Sequence, residues 1–418
     1  MGQKLLLGAF GDPGHAFPMI ALGRELAARG HDVTLQTWTR WQPDVEAEGM
    51  AFAAAPEYQP FPTSARSLTP YEAVERATHD TTALVRALRP DAIVADILTL
   101  APALAGELAG VPVATLIPHV DPRVPPGAPP FSCGARLPRT AAGRALWRGL
   151  DPLLGQGLQL GRRQLNETRT RLGLPALQRV HGGISDTLCL VATFPQLEYP
   201  RDWPAGTHVV GPLLWEPPSD DVALPGGDGP LVLLAPSTSQ DAEHRLLRAA
   251  LSGLAAMPVR VLASTNRRRP RPPLPRPANA LLVDWLSYER AMPACDVVVC
   301  HGGHGTVARA LASGCAVVIV PAAGDMNENA ARIDWAGVGV RLPRRIVGPR
   351  GLALAVGRAL ARPALLRRAR EFAAWAAEHD AAARAAEHVE ALAAGRCGPA
   401  GPISGSGWSG PSARSACR

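Results

Sequence analysis

A buried strand that runs into a glycine-rich turn and then a helix constrains this chain more than any other feature. The segment CDVVVCHGGHGTVARA (295–310) moves from consecutive valines through clustered glycines into a helical pattern. The first amides of a helix have no partner within it, and the helix dipole is positive there. Glycine lets an anion approach the bare backbone, and His301 adds a donor at the strand end. The segment predicts a phosphate site at Gly303, Gly305 and Thr306.

Residues that commonly bind ligands also follow the two neighbouring predicted strands. LLVDW (281–285) ends at Trp285, and CAVVIVP (315–321) is followed by Asp325 and Met326. A glycine-rich turn alone is also typical of ordinary strand-to-helix connections. The carboxyl ends of parallel strands share one edge of a sheet, however, and ligands bind there. This order fits a nucleoside diphosphate sugar, with its base on Trp285, its diphosphate on the turn and its sugar at Asp325.

The order of Trp285, HGGHGT and PAAGDMNENAAR resembles the donor-site signature of family-1, UDP-glycosyltransferase-like enzymes, most closely their bacterial natural-product and macrolide members. GDPGHAFPMIALGRELAARGHDVTL (11–35) is similar to the opening of the same family, so the resemblance covers nearly the whole chain. It implies an α/β GT-B fold, in which two Rossmann-like domains face each other across a cleft. The donor contacts that it implies are Ser237, Thr238, Trp285, Leu286, His301, Gly303, Gly305, Thr306, Asp325 and Met326.

Strand and helix patterns alternate in both halves of the chain, which predicts two parallel sheets with right-handed crossovers. The expected units are an acceptor-binding N-terminal domain (1–212), a Pro-, Gly- and Asp-rich linker (213–230), a C-terminal nucleotide-sugar domain (231–363), a helical segment (364–396) and a disordered Gly-, Ser- and Pro-rich tail (397–418).

The histidine of the opening loop is the catalytic base in the family, and here that position is His15, in the loop after the first strand. An imidazole is the usual general base near neutral pH. Spacing alone is also compatible with a surface histidine in a Gly-Pro loop. The family places the carboxylate partner of the base at the end of DAIVADI (91–97), which is Asp96. Asp91 lies at the other end of that strand and is a turn residue in this interpretation.

The departing diphosphate is expected to be stabilised by helix amides and His301 rather than by a metal, because the chain has no D-x-D pair of the metal-using glycosyltransferases. No metal or cofactor beyond the nucleotide-sugar co-substrate is therefore expected. In-line attack by a deprotonated oxygen predicts inversion at the anomeric carbon. Ser237 and Thr238 resemble a further phosphate contact, with a plain turn serine as the alternative.

Three positions depart from the family pattern. Arg309 stands where many members carry a glutamate for the ribose, Tyr288 replaces a glutamine, and Met326 replaces the glutamine of the sugar-binding pair. The ribose contact is therefore unassigned. Asn327 and Asn329 are alternative sources of the missing amide, so both UDP-glucose and a dTDP-deoxysugar are candidate donors.

The expected acceptor is an apolar, hydroxyl-bearing small molecule such as a polyketide, macrolide, phenol or flavonoid. The irregular, proline-rich stretch 119–138 and the helical region at about 140–172 occupy the position where family members build the acceptor pocket. Phe17 and His119 are the predicted acceptor contacts.

The composition argues against a nucleic-acid-binding, a membrane-spanning or a disulfide-bonded protein. The net charge is +7, but the arginines of 266–277 lie in a proline-interrupted loop with few aromatics, so no nucleic-acid partner is expected. No apolar run approaches a membrane span, and seven scattered cysteines without C-x-x-C argue for reduced thiols. A cytoplasmic enzyme is expected, and its oligomeric state is left open.

Two rival interpretations use the same features. GAFGDPG (8–14) is similar to a dinucleotide fingerprint, but the second strand ends in Leu35, Gln36 and Thr37 where a dehydrogenase needs an acidic residue. A GT-B epimerase or a non-catalytic partner protein shares the fold without sharing the reaction. The presence of both His15 and Asp96 favours an active transferase.

Overall fold

The computed structural model of this chain describes residues 2–55, 70–219, 223–237 and 244–396. Its framework is two sheets in which neighbouring strands are parallel, with seven strands in the first and six in the second. The first sheet contains β1 (Lys4–Gly8), β2 (Asp32–Thr37), β3 (Ala51–Ala54), β4 (Ala92–Asp96), β5 (Val113–Ile117), β6 (Leu188–Val191) and β7 (Thr207–Val209). The second contains β8 (Leu231–Ala235), β9 (Arg260–Ser264), β10 (Ala280–Val283), β11 (Val297–Cys300), β12 (Ala316–Ile319) and β13 (Gly339–Arg341).

Helices cover the faces of both sheets. They are α1 (Pro13–Ala28), α2 (Gln42–Ala47), α3 (Pro70–Leu88), α4 (Leu100–Ala109), α5 (Ala141–Arg171), α6 (Arg245–Leu254), α7 (Tyr288–Ala291), α8 (His304–Ala312), α9 (Asp325–Ala336), α10 (Pro349–Leu360), α11 (Pro363–Glu378) and α12 (Ala381–Ala393). Short 3₁₀ turns occur at Thr39–Trp41, Pro195–Leu197, Met292–Ala294 and Arg344–Ile346.

The apolar run in β1 illustrates why the central strands are buried on both faces. Leu5 and Leu7 pack into the core beneath α1, whereas Leu6, which points to the other side, packs with Val85 and Ile93. Side chains alternate across a strand, and a parallel sheet covered by helices needs apolar residues at every position. The two predicted parallel sheets and the GT-B arrangement are therefore confirmed.

Strand order places two crevices in the molecule. The first sheet has the order β3-β2-β1-β4-β5-β6-β7, and the second has β10-β9-β8-β11-β12-β13. Connections leave in opposite directions from β1 and β4, and likewise from β8 and β11. At such a reversal a crevice opens beyond the carboxyl ends of the strands. The segments that follow these four strands are those with the predicted catalytic and phosphate-binding residues.

Helix α1 corrects one local prediction. The sequence pattern predicts that the helix begins at residue 17 and that His15 lies in a loop, but the helix begins at Pro13. Asp12 has extended backbone angles, and proline is favoured at the first helical position because its missing N–H needs no partner there. His15 therefore lies in the first helical turn, where its orientation is fixed by the helix.

The C-terminal helical segment is two helices that serve different domains. Asp380 caps α12 by accepting a hydrogen bond from the Ala383 amide at 2.9 Å. Helix α11 packs Phe372 into the core of the second sheet, whereas α12 returns to the first sheet and buries Val389 and Leu392 there. Burial of each of these side chains contributes roughly 1.5 to 3 kcal/mol. The tail at 397–418 lies outside the described residues.

The contact between α12 and the first sheet includes two stacked imidazoles. The ring centroids of His208 in β7 and His388 in α12 lie 3.8 Å apart, and the ring planes are stacked at 27° to each other. Burial lowers the pKa of His208 to about 4, with further lowering from His388 and Arg384. Burial and Arg384 also lower the pKa of His388. Both rings are therefore neutral in the folded protein at pH 7.

We expect this pair to make stability pH-dependent. The unfolded chain takes up a proton on His208 below about pH 6.5, whereas the folded chain resists protonation there until about pH 4, so the free energy of unfolding falls as the pH falls through this window. His208→Phe keeps a stacking ring and should reduce that loss by on the order of 2 kcal/mol. Urea unfolding at pH 7 and pH 4.5 measures it, with exposed His79→Gln as control. Equal pH dependence of wild type and H208F would contradict the assignment.

Candidate active site

An imidazole and a carboxylate meet at the switch point of the first sheet. His15 Nδ1 lies 2.8 Å from Asp96 Oδ1, and Asp96 is the last residue of β4. The other carboxylate oxygen accepts a hydrogen bond from the Phe10 amide at 3.3 Å. The Asp96 side chain is fully buried, while that of His15 is 16% exposed. Because the carboxylate can only accept, Nδ1 of His15 donates, and Nε2 is left as the basic nitrogen.

The electrostatic surroundings make His15 a stronger base than a free imidazole. Burial lowers the pKa of His15, but the charge and hydrogen bond of Asp96 outweigh this effect, with smaller contributions from Asp12 and Asp325. The net pKa is raised above the ordinary value of 6.5. Asp325, which belongs to the second domain, therefore acts electrostatically on His15 in the first.

A second imidazole lies beside the first but remains neutral. The rings of His119 and His15 are 6.2 Å apart and nearly perpendicular. His119 Nδ1 donates to the Val120 carbonyl at 2.7 Å, so its Nε2 is an acceptor. Burial lowers the pKa of His119, and His15 lowers it further. The ring stacks on Phe131 with centroids 5.9 Å apart, within the irregular segment that the sequence assigns to the acceptor.

Of the two phenylalanines on either side of His15, only Phe10 lies against its ring. Phe17 packs edge-on against Trp41 and Trp215, and it lines the core of the first domain. The aromatic ring that lies at His15 is Phe10, with centroids 6.0 Å apart. Phe17 follows His15 by two positions, and a helix turns 100° per residue, so the two side chains leave α1 in different directions.

The glycine-rich turn has the geometry that the sequence predicts. Gly302 adopts a φ of 97°, and Gly303 is the N-cap of α8. A Cβ on Gly303 would lie 2.6 Å from His301 Nε2, so any larger residue there would displace the imidazole from its position across the turn. A Cβ on Gly305 would meet nothing within 4 Å. The amides of the first turn of α8 have no helical partner, and the space at Gly305 is open to a ligand.

Asn329 fixes this turn to the helix that carries Asp325. Its Nδ2 donates to the Gly302 carbonyl at 2.8 Å, and its Oδ1 lies 3.2 Å from His304 Nδ1. Both ends of the amide are therefore used within the protein. Burial lowers the pKa of His304 to about 4, followed by the charge of His119, so this imidazole is neutral. The sequence predicts no role for His304, and it offers Asn329 only as an alternative source of the sugar-binding amide.

Asp325 and Met326 begin α9, and both are partly exposed. The Cβ of Met326 lies within 3.2 Å of the position that a Cβ on Gly302 would occupy, so the thioether side chain starts beside the glycine-rich turn. Asn327 faces the other domain, next to Gly134. The sugar-binding pair predicted from the sequence therefore lies between the turn and the acceptor segment.

Trp285 follows β10 and is partly exposed, with the Arg267 guanidinium 4.8 Å from its ring centroid. The Leu286 side chain is buried in the core, which leaves only its backbone for a ligand. Ser237 follows β8 and is buried, whereas Thr238 lies outside the described residues. Arg309, at the position of the missing ribose glutamate, approaches Glu289 at 3.7 Å.

Within the described ranges, no three His, Cys, Asp or Glu side chains are grouped so that they could hold a metal ion. No helix there is long and apolar enough to cross a membrane. The five cysteines in those ranges are free thiols.

The raised pKa of His15 depends on Asp96, which yields a direct test. In Asp96→Asn the charge of the carboxylate is lost while burial of the ring remains, so the pKa of His15 should fall below 6.5. An NMR titration of the imidazole measures this change. Asp91→Asn is the matched control, because that carboxylate accepts from the Lys4 amide at the opposite end of the same strand. An unchanged His15 pKa in D96N would contradict the assigned pair.

The sequence is similar to a known family and to proteins of known activity. Residues 251–392 match the family described as the erythromycin biosynthesis protein CIII-like, C-terminal domain. The chain is 28% identical to 4'-demethylrebeccamycin synthase of Lentzea aerocolonigenes, across 94% of this chain and all of that protein. It is also 28% identical to O-mycaminosyltylonolide 6-deoxyallosyltransferase of Streptomyces fradiae, across 88% of this chain and 92% of the relative.

Solved structures have the same fold. The glycosyltransferase of kitacinnamycin superposes with a TM-score of 0.73 at 20% identity, covering 94% of this chain and 99% of that one. The glycosyltransferase VinC in complex with dTDP superposes with a TM-score of 0.65 at 19% identity, covering 94% and 99%. The chain is therefore a glycosyltransferase of the GT-B fold with an EryCIII-like C-terminal domain.

Proposed function

We propose that this enzyme transfers a hexose from a nucleoside diphosphate sugar to a hydroxyl group of an apolar natural product, with inversion at the anomeric carbon and without a metal ion. One observation carries the proposal: His15 Nδ1 of the first sheet lies 2.8 Å from Asp96, and the charge of Asp325, from the second domain, contributes to the raised pKa of His15. A base and an anion-binding site are therefore brought to one place by two different domains.

In this mechanism His15 Nε2 accepts the proton of the acceptor hydroxyl as its oxygen attacks the anomeric carbon. The imidazolium that forms is stabilised by Asp96 at 2.8 Å. The bond to the diphosphate breaks on the opposite face of the sugar, and the first amides of α8 with His301 take up the growing negative charge. The acceptor proton passes to His15 and the electron pair of the broken bond passes to the diphosphate in a single displacement, which inverts the centre.

The donor is proposed to be a dTDP-deoxysugar or UDP-glucose. Met326 supports a sugar with fewer hydroxyls, because a thioether is at best a weak hydrogen-bond acceptor. Asn329 cannot replace the missing amide, since it already bonds Gly302 and His304. The name of the 6-deoxyallosyltransferase relative and the dTDP bound to VinC are consistent with a deoxysugar donor.

The acceptor is proposed to be an apolar hydroxylated ring system. Aromatic side chains surround the base: Phe10 and His119 lie edge-on to His15, and Phe131 stacks on His119. Flat faces of this kind pack well against aromatic or polyketide rings.

The proposal is tested by mixing the enzyme with dTDP-6-deoxy-α-D-glucose and a panel of aliphatic alcohols on polyketide and macrolide scaffolds, in excess EDTA. We expect a β-linked product in the NMR spectrum. His15→Ala should lower kcat by roughly 10² to 10⁴ while dTDP binding is unchanged, because only the general base is lost. An α-linked product, loss of activity with EDTA, or a variant within threefold of wild type would contradict the mechanism.

Gly305→Ala should weaken nucleotide binding without lowering the stability of the fold. The added methyl group meets nothing in the protein, and alanine favours a helix over glycine by about 1 kcal/mol, so Tm should not fall. The same methyl enters the space proposed for the diphosphate, and we expect at least tenfold weaker dTDP binding by calorimetry. Gly357→Ala in α10, where a Cβ has only an ordinary contact, is the control. Unchanged dTDP affinity in G305A would place the diphosphate elsewhere.

Met326→Gln should change donor preference. A glutamine amide can bond a sugar hydroxyl that the thioether cannot, and a neutral hydrogen bond contributes about 0.5 to 1.5 kcal/mol, or up to roughly tenfold. The ratio of kcat/KM for dTDP-glucose over dTDP-6-deoxyglucose should therefore rise by up to about tenfold. These donors share one base, so the ratio reports the sugar alone. If the ratio is unchanged, Met326 does not touch the sugar.

A further inference from the structure

Arg332 is the largest fully buried side chain in the described part of the chain, and it lies between the two domains. It belongs to α9, where its Nε donates to Glu328 at 2.8 Å. Its Nη1 crosses to the first domain and donates to the Leu197 carbonyl at 2.9 Å and to Glu198 at 3.2 Å. The guanidinium also lies 3.5 Å from the centroid of the Tyr199 ring. The mechanism described above uses none of these contacts.

The carboxylate that Arg332 contacts also holds the acceptor segment. One oxygen of Glu198 accepts from the Asp121 amide at 2.7 Å, and Asp121 follows His119 by two residues. Arg201 approaches the other oxygen at 3.2 Å. The Glu198 side chain is only 4% exposed. A single buried carboxylate therefore joins a helix of the donor domain to the backbone beside His119.

The geometry of α9 links the Arg332 contact to the position of Asp325 in the proposed sugar site. Arg332 lies seven positions after Asp325, which is two helical turns, so both side chains leave α9 on the same face. Asn329, between them on that face, bonds the phosphate turn through Gly302. A helix is stiff over two turns, so anchoring Arg332 also sets the position of Asp325.

A buried ion pair restricts geometry more than an exposed one. A guanidinium and a carboxylate removed from water must keep their partners, because separation leaves each charge unsolvated. The same helix makes an exposed inter-domain pair, in which Arg136 Nε lies 2.8 Å from Asp334 and the side chains are 77% and 30% exposed. Water can replace either partner there, and such pairs contribute little.

We propose that Arg332 is a positioning residue for glycosyl transfer, which through Glu198 holds the start of α9 at the correct distance from His119 and His15. The proposal rests on the proposed function for the roles of Asp325 and His15. The expected consequence is a change in kcat rather than in nucleotide affinity. Nucleotide binding uses the second domain alone, whereas transfer needs both domains at the correct relative position. A displacement of about 1 Å at a reacting centre can cost 10²-fold in rate.

The test compares Arg332→Lys and Glu198→Gln with Asp334→Asn as the matched control on the same helix. Steady-state kinetics would give kcat and KM, and calorimetry would give the Kd and the number of binding sites for dTDP. We expect kcat to fall at least tenfold in R332K and E198Q, with the dTDP Kd within twofold and a full number of sites. D334N should retain kcat within twofold.

Two results would overturn the proposal. One is a kcat within twofold of wild type in both variants. The other is a loss of kcat matched by a loss of dTDP sites, which would mean that the residues serve folding alone. If R332K does not fold, E198Q decides the outcome.

Small-angle scattering of the dTDP-bound proteins separates this proposal from the proposed function. A wider distribution of inter-domain distances in E198Q than in D334N supports the positioning role without any acceptor. Identical distributions contradict it. A wild-type enzyme that transfers no sugar overturns the proposed function and leaves the scattering comparison valid.

Discussion

Parallel strand pairing is the constraint that decides where chemistry can occur in this protein. Parallel neighbours present their carboxyl ends at one edge, and the reversal of strand order beside β1 and β8 opens a crevice in each sheet. His15 and Asp96 come from the first crevice, whereas His301 and Gly303 come from the second. In the proposed mechanism, neither domain alone holds both the base and the anion-binding amides. The proposed site therefore needs the edges of both sheets.

Three imidazoles close to this edge have different proton affinities because their partners differ. Asp96 raises the pKa of His15 against the opposing effect of burial, whereas burial lowers the pKa of His119 and of His304. A protonated ring 6.2 Å from His15 would weaken the base by repulsion between like charges. The neutral state of His119 leaves His15 as the one imidazole of the three with a carboxylate to stabilise its proton.

Local patterns predicted much of this structure, since a buried parallel strand and a glycine turn are encoded by adjacent residues. The valines before His301 and the glycines after it gave both the strand and the start of α8. Contacts between distant residues left no such pattern: Arg332 and Glu198 are 134 positions apart. The sequence did not show where α1 begins, and that start sets which face each side chain occupies, so the packing of Phe17 against Trp41 was not predicted.

The return of α12 to the first sheet gives the chain a topology that its linear order hides. The domain built on the second sheet is an insertion, because the polypeptide enters it after Trp215 and leaves it before Asp380 to complete the core of the first domain. Recombination that replaces everything after the linker would separate the first sheet from its own covering helix. A chimera with a foreign donor domain therefore needs two junctions, one in the linker and one at the turn between α11 and α12.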